Sequence, residues 1–333
     1  MHNNEPSAHG TQASQVRLVL LVLLQACALL CRPSYNPTRT RAAAIPPDAV
    51  KMTPATDSFP PVLRSDSWEA PVPMEGPVNT AGAEDSPFIT PDGDTFFFFF
   101  TPDVRVPVEK QLLDSVTGTW WTTRTNGTWS EPEHVILNDD IGLDGAAFYQ
   151  HETLWFATVR VGTYRKDGDI YTALLRNGTW TDWRSSGEQL NVDYQIGEMH
   201  ITADGRTLYF AKRDPDSTMG MDLWKCEKND DGWSEPVNLG TGVNTTKDEN
   251  QPFVSEDGRE LWFTRMPTDS FQGPSVVRCI KQANGEWGPP QEIISQFAGE
   301  PTLDRSGNIH FVHHYFYPGR MIEADIYVAR RRP

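Results

Sequence analysis

The chain has 333 residues, of which 38% are apolar, 22% charged and 11% aromatic, with 25 glycines, 26 prolines and 11 tryptophans. That composition describes a polar, turn-rich protein, too aromatic to be disordered. The formal charge is −16: residues 1–31 balance Arg17 against Glu5, residues 32–65 carry +3, and residues 66–333 therefore carry −19. A surface this acidic repels nucleic-acid phosphates and anionic lipid head groups, which excludes nucleic-acid binding and a polybasic membrane dock.

In chain order, the first element is the run Leu18–Cys31, fourteen residues in which only Gln25 is polar. It matches a signal-peptide apolar region of ~7–15 residues and is short of the ~20 that span a membrane. Export is expected, to the periplasm, the cell surface or the medium. Leu24-Gln25-Ala26-Cys27 resembles a bacterial lipobox, with Gln where a small residue is usual. The resemblance implies acylation of Cys27; cleavage with secretion and a short uncleaved anchor are the alternatives. Residues 32–65 hold seven prolines in 34 positions with no apolar periodicity, and are expected to be a disordered or extended tether whose removal leaves the fold intact.

From Asp66 onward the chain repeats, and a period of ~40–50 residues is a propeller signature. Trp129, Trp180, Trp233 and Trp287 stand 51, 53 and 54 residues apart, each after a turn: Asn126-Gly, Asn177-Gly, Asp231-Gly and Asn284-Gly. Such pairs supply the positive φ of tight hairpins, so each Trp opens the strand after a hairpin. Trp68 is a fifth copy. A second motif, strand, tight turn, strand, is clear at Phe88–Phe100, Ile201–Phe210 and Phe253–Phe263, and weaker at Phe148–Phe156 and Leu303–Phe311. With a third strand at Asp169, Asp222, Ser275 and Asp325 and the Trp strand as the fourth, residues 66–333 are expected to form an all-β, five-bladed β-propeller of four-stranded blades. The last blade lacks its outer strand, which the strand from Trp68 can supply, removing an open edge. Ala173, Cys226, Cys279 and Ala329 fall in one slot of the third strand, so the two cysteines are read as buried packing residues on different blades, too far apart for a disulfide.

Gly240–Asn244 and Glu249–Arg265 resemble the WD-like propeller repeat of TolB and of the periplasmic propellers attached to OmpA-type domains. The resemblance covers residues 66–333 and is strongest in the third and fourth repeats. It implies a periplasmic or cell-surface propeller, read here as a monomer, that binds protein or envelope components; it does not imply a reaction, and a non-catalytic scaffold is the expectation. No OmpA-type sequence accompanies it, so a peptidoglycan role does not carry over.

An acidic residue precedes each innermost strand: Glu84 and Asp85, Asp144, Glu198, Glu249 and Glu300. These are expected to ring one channel mouth, where like charges disfavour full ionisation. Arg160, Arg213, Arg265, His313 and His314 follow the second strands, and pairing between adjacent blades would neutralise the ring. A bound Ca²⁺ would meet any remaining deficit. The sharper alternative is glycoside hydrolysis, since the order Asp85, Asp144, Glu198 is similar to the Asp, Asp, Glu of five-bladed arabinanases and β-xylosidases. That resemblance implies Asp85 as base, Asp144 as orienting group and Glu198 as acid. Arg213 and His200 would then depress the Glu198 pKa unless burial outweighs them. Asn244-Thr-Thr fits a glycosylation pattern, and Trp121 and Trp183 are candidates for stacking on sugars or partners.

Overall fold

In the computed structural model, residues 39–333 are described except 112, 113, 136, 138–141, 161, 166, 167, 214–219, 268–272, 318 and 319. The signal-like run and Cys27 lie outside the described residues. Two short strands, β1 (Val62–Leu63) and β2 (Val72–Pro73), precede five antiparallel meanders. The first is β3 (Ala83–Ile89), β4 (Thr95–Thr101) and β5 (Gly118–Thr125), edged by β6 (Thr128–Trp129) and β7 (Glu133–His134). The second is β8 (Gly142–Gln150), β9 (Thr153–Arg160), β10 (Asp169–Arg176) and β11 (Thr179–Ser185). The third is β12 (Met199–Ile201), β13 (Thr207–Arg213) and β14 (Met221–Asn229), edged by β15 (Gly232–Trp233) and β16 (Val237–Asn238). The fourth is β17 (Glu249–Val254), β18 (Glu260–Arg265), β19 (Ser275–Ile280) and β20 (Gln291–Ser295), with β1 added outside β20. The fifth is β21 (Ala298–Leu303), β22 (Ile309–Tyr317) and β23 (Arg320–Ala329).

Turn chemistry sets these boundaries. Asn126 and Gly127 (φ 51° and 80°) and Asn177 and Gly178 (φ 52° and 75°) are left-handed pairs closing two-residue hairpins, the geometry whose twist matches the flanking strands. The second strands β4, β13, β18 and β22 are buried on both faces, with Phe96, Phe97, Phe98 and Phe100 of β4 all at 1% exposure or less, whereas β9 alternates buried and half-buried positions. In the third strands, Ala173, Cys226, Cys279 and Ala329 each sit opposite Leu154, Leu208, Leu261 and Ile309, and all four are buried. Cys226 and Cys279 are unbonded to each other, and burial pushes both thiols up to about 12, so they fill volume and do no redox chemistry.

β2 pairs antiparallel with β23, Val72 opposite Val328 and Pro73 opposite Tyr327, and Trp68 bridges Arg331. Trp68 is buried edge-on to Trp262, beneath the guanidinium groups of Arg331 and Arg278, with its Nε1–H donated to the Gly307 carbonyl. β23 and β3 touch through one parallel bridge, Ala324 to Ala83, which joins the fifth and first meanders.

The expected disordered tether is a docked segment over its described part, residues 39–65. The compositional argument counts apolar burial and misses long-range polar anchors, which hold this segment at Arg41, Lys51, Asp57 and β1.

Candidate functional site

Four inner strands carry the same β-bulge, between Asp85 and Phe88, Gly145 and Phe148, Asn250 and Phe253, and Gly299 and Thr302. The first extra residue is left-handed in each: Ser86, Ala146, Gln251 and Glu300, with φ of 46–55°. A bulge turns that side chain out of the ladder and re-aims it. In the third meander Glu198 occupies the position, its carbonyl accepting from the Ala211 N–H. Ser86, Ala146, Glu198, Gln251 and Glu300 line a small chamber of about 60 Å³.

The six expected ring acids therefore split into separate positions along the strand. Glu198 and Glu300 reach the chamber wall, and Asp85 lies one residue before the bulge. Glu84, Asp144 and Glu249 lie two residues before it; Asp144 and Glu249 turn to arginines of their own meanders and Glu84 to Arg41 of the upstream segment. Repeat alignment by acidic character merges these positions because a strand shift of one residue changes face.

Two of these acids are bound by the arginine at the end of the neighbouring second strand and by a threonine. Glu249 accepts from Arg265 Nε (2.8 Å), the Thr245 amide (3.0 Å) and the Thr245 hydroxyl (2.6 Å). Asp144 Oδ1 accepts from Arg160 Nη2 (2.6 Å) and the Thr158 hydroxyl (2.5 Å). The expected pairing between adjacent blades is found between His314 and Asp85, whereas Asp144 and Glu249 pair between the first and second strands of one meander, whose antiparallel register already brings these groups together. Arg213 lies exposed at the end of β13. His313 and His314 face opposite sides of β22: His313 Nε2 meets Asp57 at 2.9 Å, and His314 Nε2 lies 3.5 Å from Asp85.

The chamber carboxyls divide electrostatically. At Asp85 burial acts upward, but His314 and the Ser86 amide outweigh it and hold the group below its ordinary value. Glu198 is pushed up to about 7 by burial and by the Asp85 charge, against a hydrogen bond from Gln251. Glu300 is raised well above its ordinary value by burial and then by Asp85 and Glu198. The expected depression of Glu198 by Arg213 and His200 is reversed, since Arg213 is exposed and burial pushes His200 down to about 3, leaving it neutral. Among the described residues no cluster of three or more His, Cys, Asp or Glu is arranged to hold a metal ion.

The larger cavity, about 710 Å³, lies beyond the same inner strands. Phe88, Phe148, His200 and Phe253 line both spaces and form an aromatic partition between them, with His200 centred 4.6 Å from Phe253 and 5.3 Å from Phe148. His200 Nδ1 accepts from the Val254 amide (3.2 Å), which places the proton of the neutral ring on Nε2. The rim includes Asp92 and Asp257 of the Thr90-Pro-Asp-Gly and Ser255-Glu-Asp-Gly turns, where the hydroxyl donates to the carboxylate (2.6 and 2.7 Å). Arg305 spans the rim to Glu256 with two 2.7 Å bonds. This cavity was legible only in the repeated Asp-Gly turns.

Sequence reasoning also missed Asn79, Asn191 and Asn244. Each clamps the backbone of a third strand, donating to and accepting from Ile326, Ile170 and Leu223 respectively. The recurrent Val78-Asn79-Thr80 and Val243-Asn244-Thr245 was the available signal. Asn244 is buried, so it is not a glycan acceptor. Trp121 and Trp183 pack against the core; Trp121 stacks on Phe97, and Arg160 lies 4.8 Å over Trp183.

No family model matches the sequence, and no curated protein matches it. Among solved structures the chain is similar to the α-L-arabinofuranosidase of Podospora anserina solved with cellotriose, at 13% identity and TM-score 0.48, covering 78% of this chain and 95% of that one. It is similar to a thermostable family-43 glycoside hydrolase at 13% identity and TM-score 0.47, over 76% and 90% of the two chains. A TolB of Agrobacterium tumefaciens, described as putative in that structure, matches at 16% identity and TM-score 0.42, over 84% and 91%.

Proposed function

We propose that the chain is an exported five-bladed β-propeller, closed by β2 in the last blade, that acts as a TolB-like, non-catalytic scaffold for a protein or envelope glycan. One observation carries this reading. The acids expected to perform chemistry are dispersed: Asp144 is consumed by Arg160 and Thr158, Asp85 lies against His314, and only Glu198 and Glu300 line the space of about 60 Å³. That space is far smaller than the ~300–1,000 Å³ of ligand sites. The cavity of that size lies on the other side of the aromatic partition. Export rests on the Leu18–Cys31 run, and attachment through Cys27 is decided by fatty-acid labelling with Cys27→Ala as control.

A second reading, glycoside hydrolysis, draws on the opposed pKa values: Asp85 held low suits a base and Glu198 at about 7 suits an acid. The test is a screen on arabinan, xylan and aryl glycosides with wild type, Glu198→Gln and Glu300→Gln. The scaffold reading expects no turnover from any of the three. Turnover by wild type that Glu198→Gln abolishes and Glu300→Gln spares overturns it.

A further inference from the structure

The fourth meander carries a complete guanidinium site within its own strands and the loop that precedes them. Glu249 is opposite Arg265, and Arg265 donates to Glu249 and to the Val243 carbonyl (2.8 Å), over the Phe263 ring. The first meander has the same site without its arginine. Glu84 is opposite Phe100, while Thr80 binds Glu84 through its amide (2.8 Å) and hydroxyl (2.6 Å), as Thr245 binds Glu249. Arg41, 43 residues upstream, fills the gap. Its guanidinium donates to Glu84 Oε1 (3.1 Å), the Val78 carbonyl (2.6 Å) and the Pro77 carbonyl (2.5 Å), over the rings of Phe98, Phe100 and Trp120.

The same segment makes further anchors. Lys51 Nζ binds both Glu323 and Asp325, and the Met52 amide donates to Glu323 (2.6 Å). Asp57 pairs with His313, both with side chains at 1% exposure or less, and β1 pairs with β20. Glu84 adjoins Ala83, and Glu323 and Asp325 flank Ala324, the two residues of the one bridge joining the first and last meanders. The segment therefore spans that junction with a cationic foot on each side.

We propose that residues 39–63 are a latch over the junction of the first and last meanders, keyed by a guanidinium-binding socket at Glu84, Val78 and Pro77. The socket is built entirely from the first meander and its preceding loop, so it accepts a guanidinium whether or not that group is tethered. The planar fork matters as much as the charge, because two of its acceptors are backbone carbonyls in fixed positions.

The experiment compares wild type with Arg41→Ala and Arg41→Lys, with and without millimolar methylguanidinium, using methylammonium at equal ionic strength as control. Arg41→Ala is expected to melt lower and to exchange amide protons faster in residues 83–89 and 320–329, with the third meander unchanged. Methylguanidinium should recover most of that loss in Arg41→Ala and leave wild type unmoved, methylammonium should recover none, and Arg41→Lys should fall between. The proposal is overturned if Arg41→Ala behaves as wild type, or if methylguanidinium acts equally on both. Should Arg41→Ala not accumulate folded, its refolding yield from urea with each cation gives the same decision. Lys51→Met tests the second foot, with faster exchange in 320–329 expected and no change overturning the latch.

Discussion

Arg41 and Arg265 each donate to a carboxylate and to a valine carbonyl at equivalent positions, Glu84 with Val78 and Glu249 with Val243, although one arrives from a distant segment and the other from the neighbouring strand. Both carboxylates are fully buried. Removing one partner of a buried pair leaves the other uncompensated at a cost of about 3–5 kcal/mol.

Arg265→Ala should therefore lower stability by about 3–5 kcal/mol, and deleting residues 1–60 should produce a loss of similar order by uncovering Glu84, Glu323 and Asp325 together. Urea denaturation of the two variants checks this. A truncated protein as stable as wild type would show that the segment is a passive tether.

Glu198 makes stability depend on pH in a defined direction. Its folded pKa of about 7 lies above the ordinary 4.5, so its contribution is fully present below the unfolded value and is lost as pH rises through the folded one. Gln at this position stays neutral. The melting temperature of Glu198→Gln relative to wild type should therefore climb between pH 5 and pH 8, by a few degrees, given about 1–3 kcal/mol after allowance for partial solvent contact. A flat difference across that range would place Glu198 in contact with bulk water.

Asn244 holds both the amide and the carbonyl of Leu223 from a buried position. Asn244→Ala orphans two backbone groups and should cost about 1–3 kcal/mol, whereas Asn126→Ala acts only through a hairpin turn. Chemical denaturation of the pair ranks them; equal losses would contradict the clamp.

Cys226 and Cys279 should not react with thiol reagents in the folded protein and should both react in urea. Burial keeps each thiol protonated at neutral pH, and the thiolate is the reactive form. Native-state labelling at either site would contradict the packing described here.

The repeat was readable in the sequence because it rests on local chemistry. Asn-Gly and Asp-Gly pairs demand positive φ, and apolar runs demand strands buried on both faces, so hairpins, strand order and the small third-strand slot holding Cys226 followed from spacing alone. Three features were decided only in three dimensions. The bulges at Ser86, Ala146, Gln251 and Glu300 assign acids a few residues apart to different environments, and no local signal distinguishes Glu249 from Glu300. The Asn79, Asn191 and Asn244 clamps act on strands that are distant or earlier in the chain, invisible to periodicity. Arg41 reads as one charge in a proline-rich stretch, because composition registers charge and apolar content but not the partner, Glu84, that lies 43 residues away and becomes adjacent only when the upstream segment docks on the first meander.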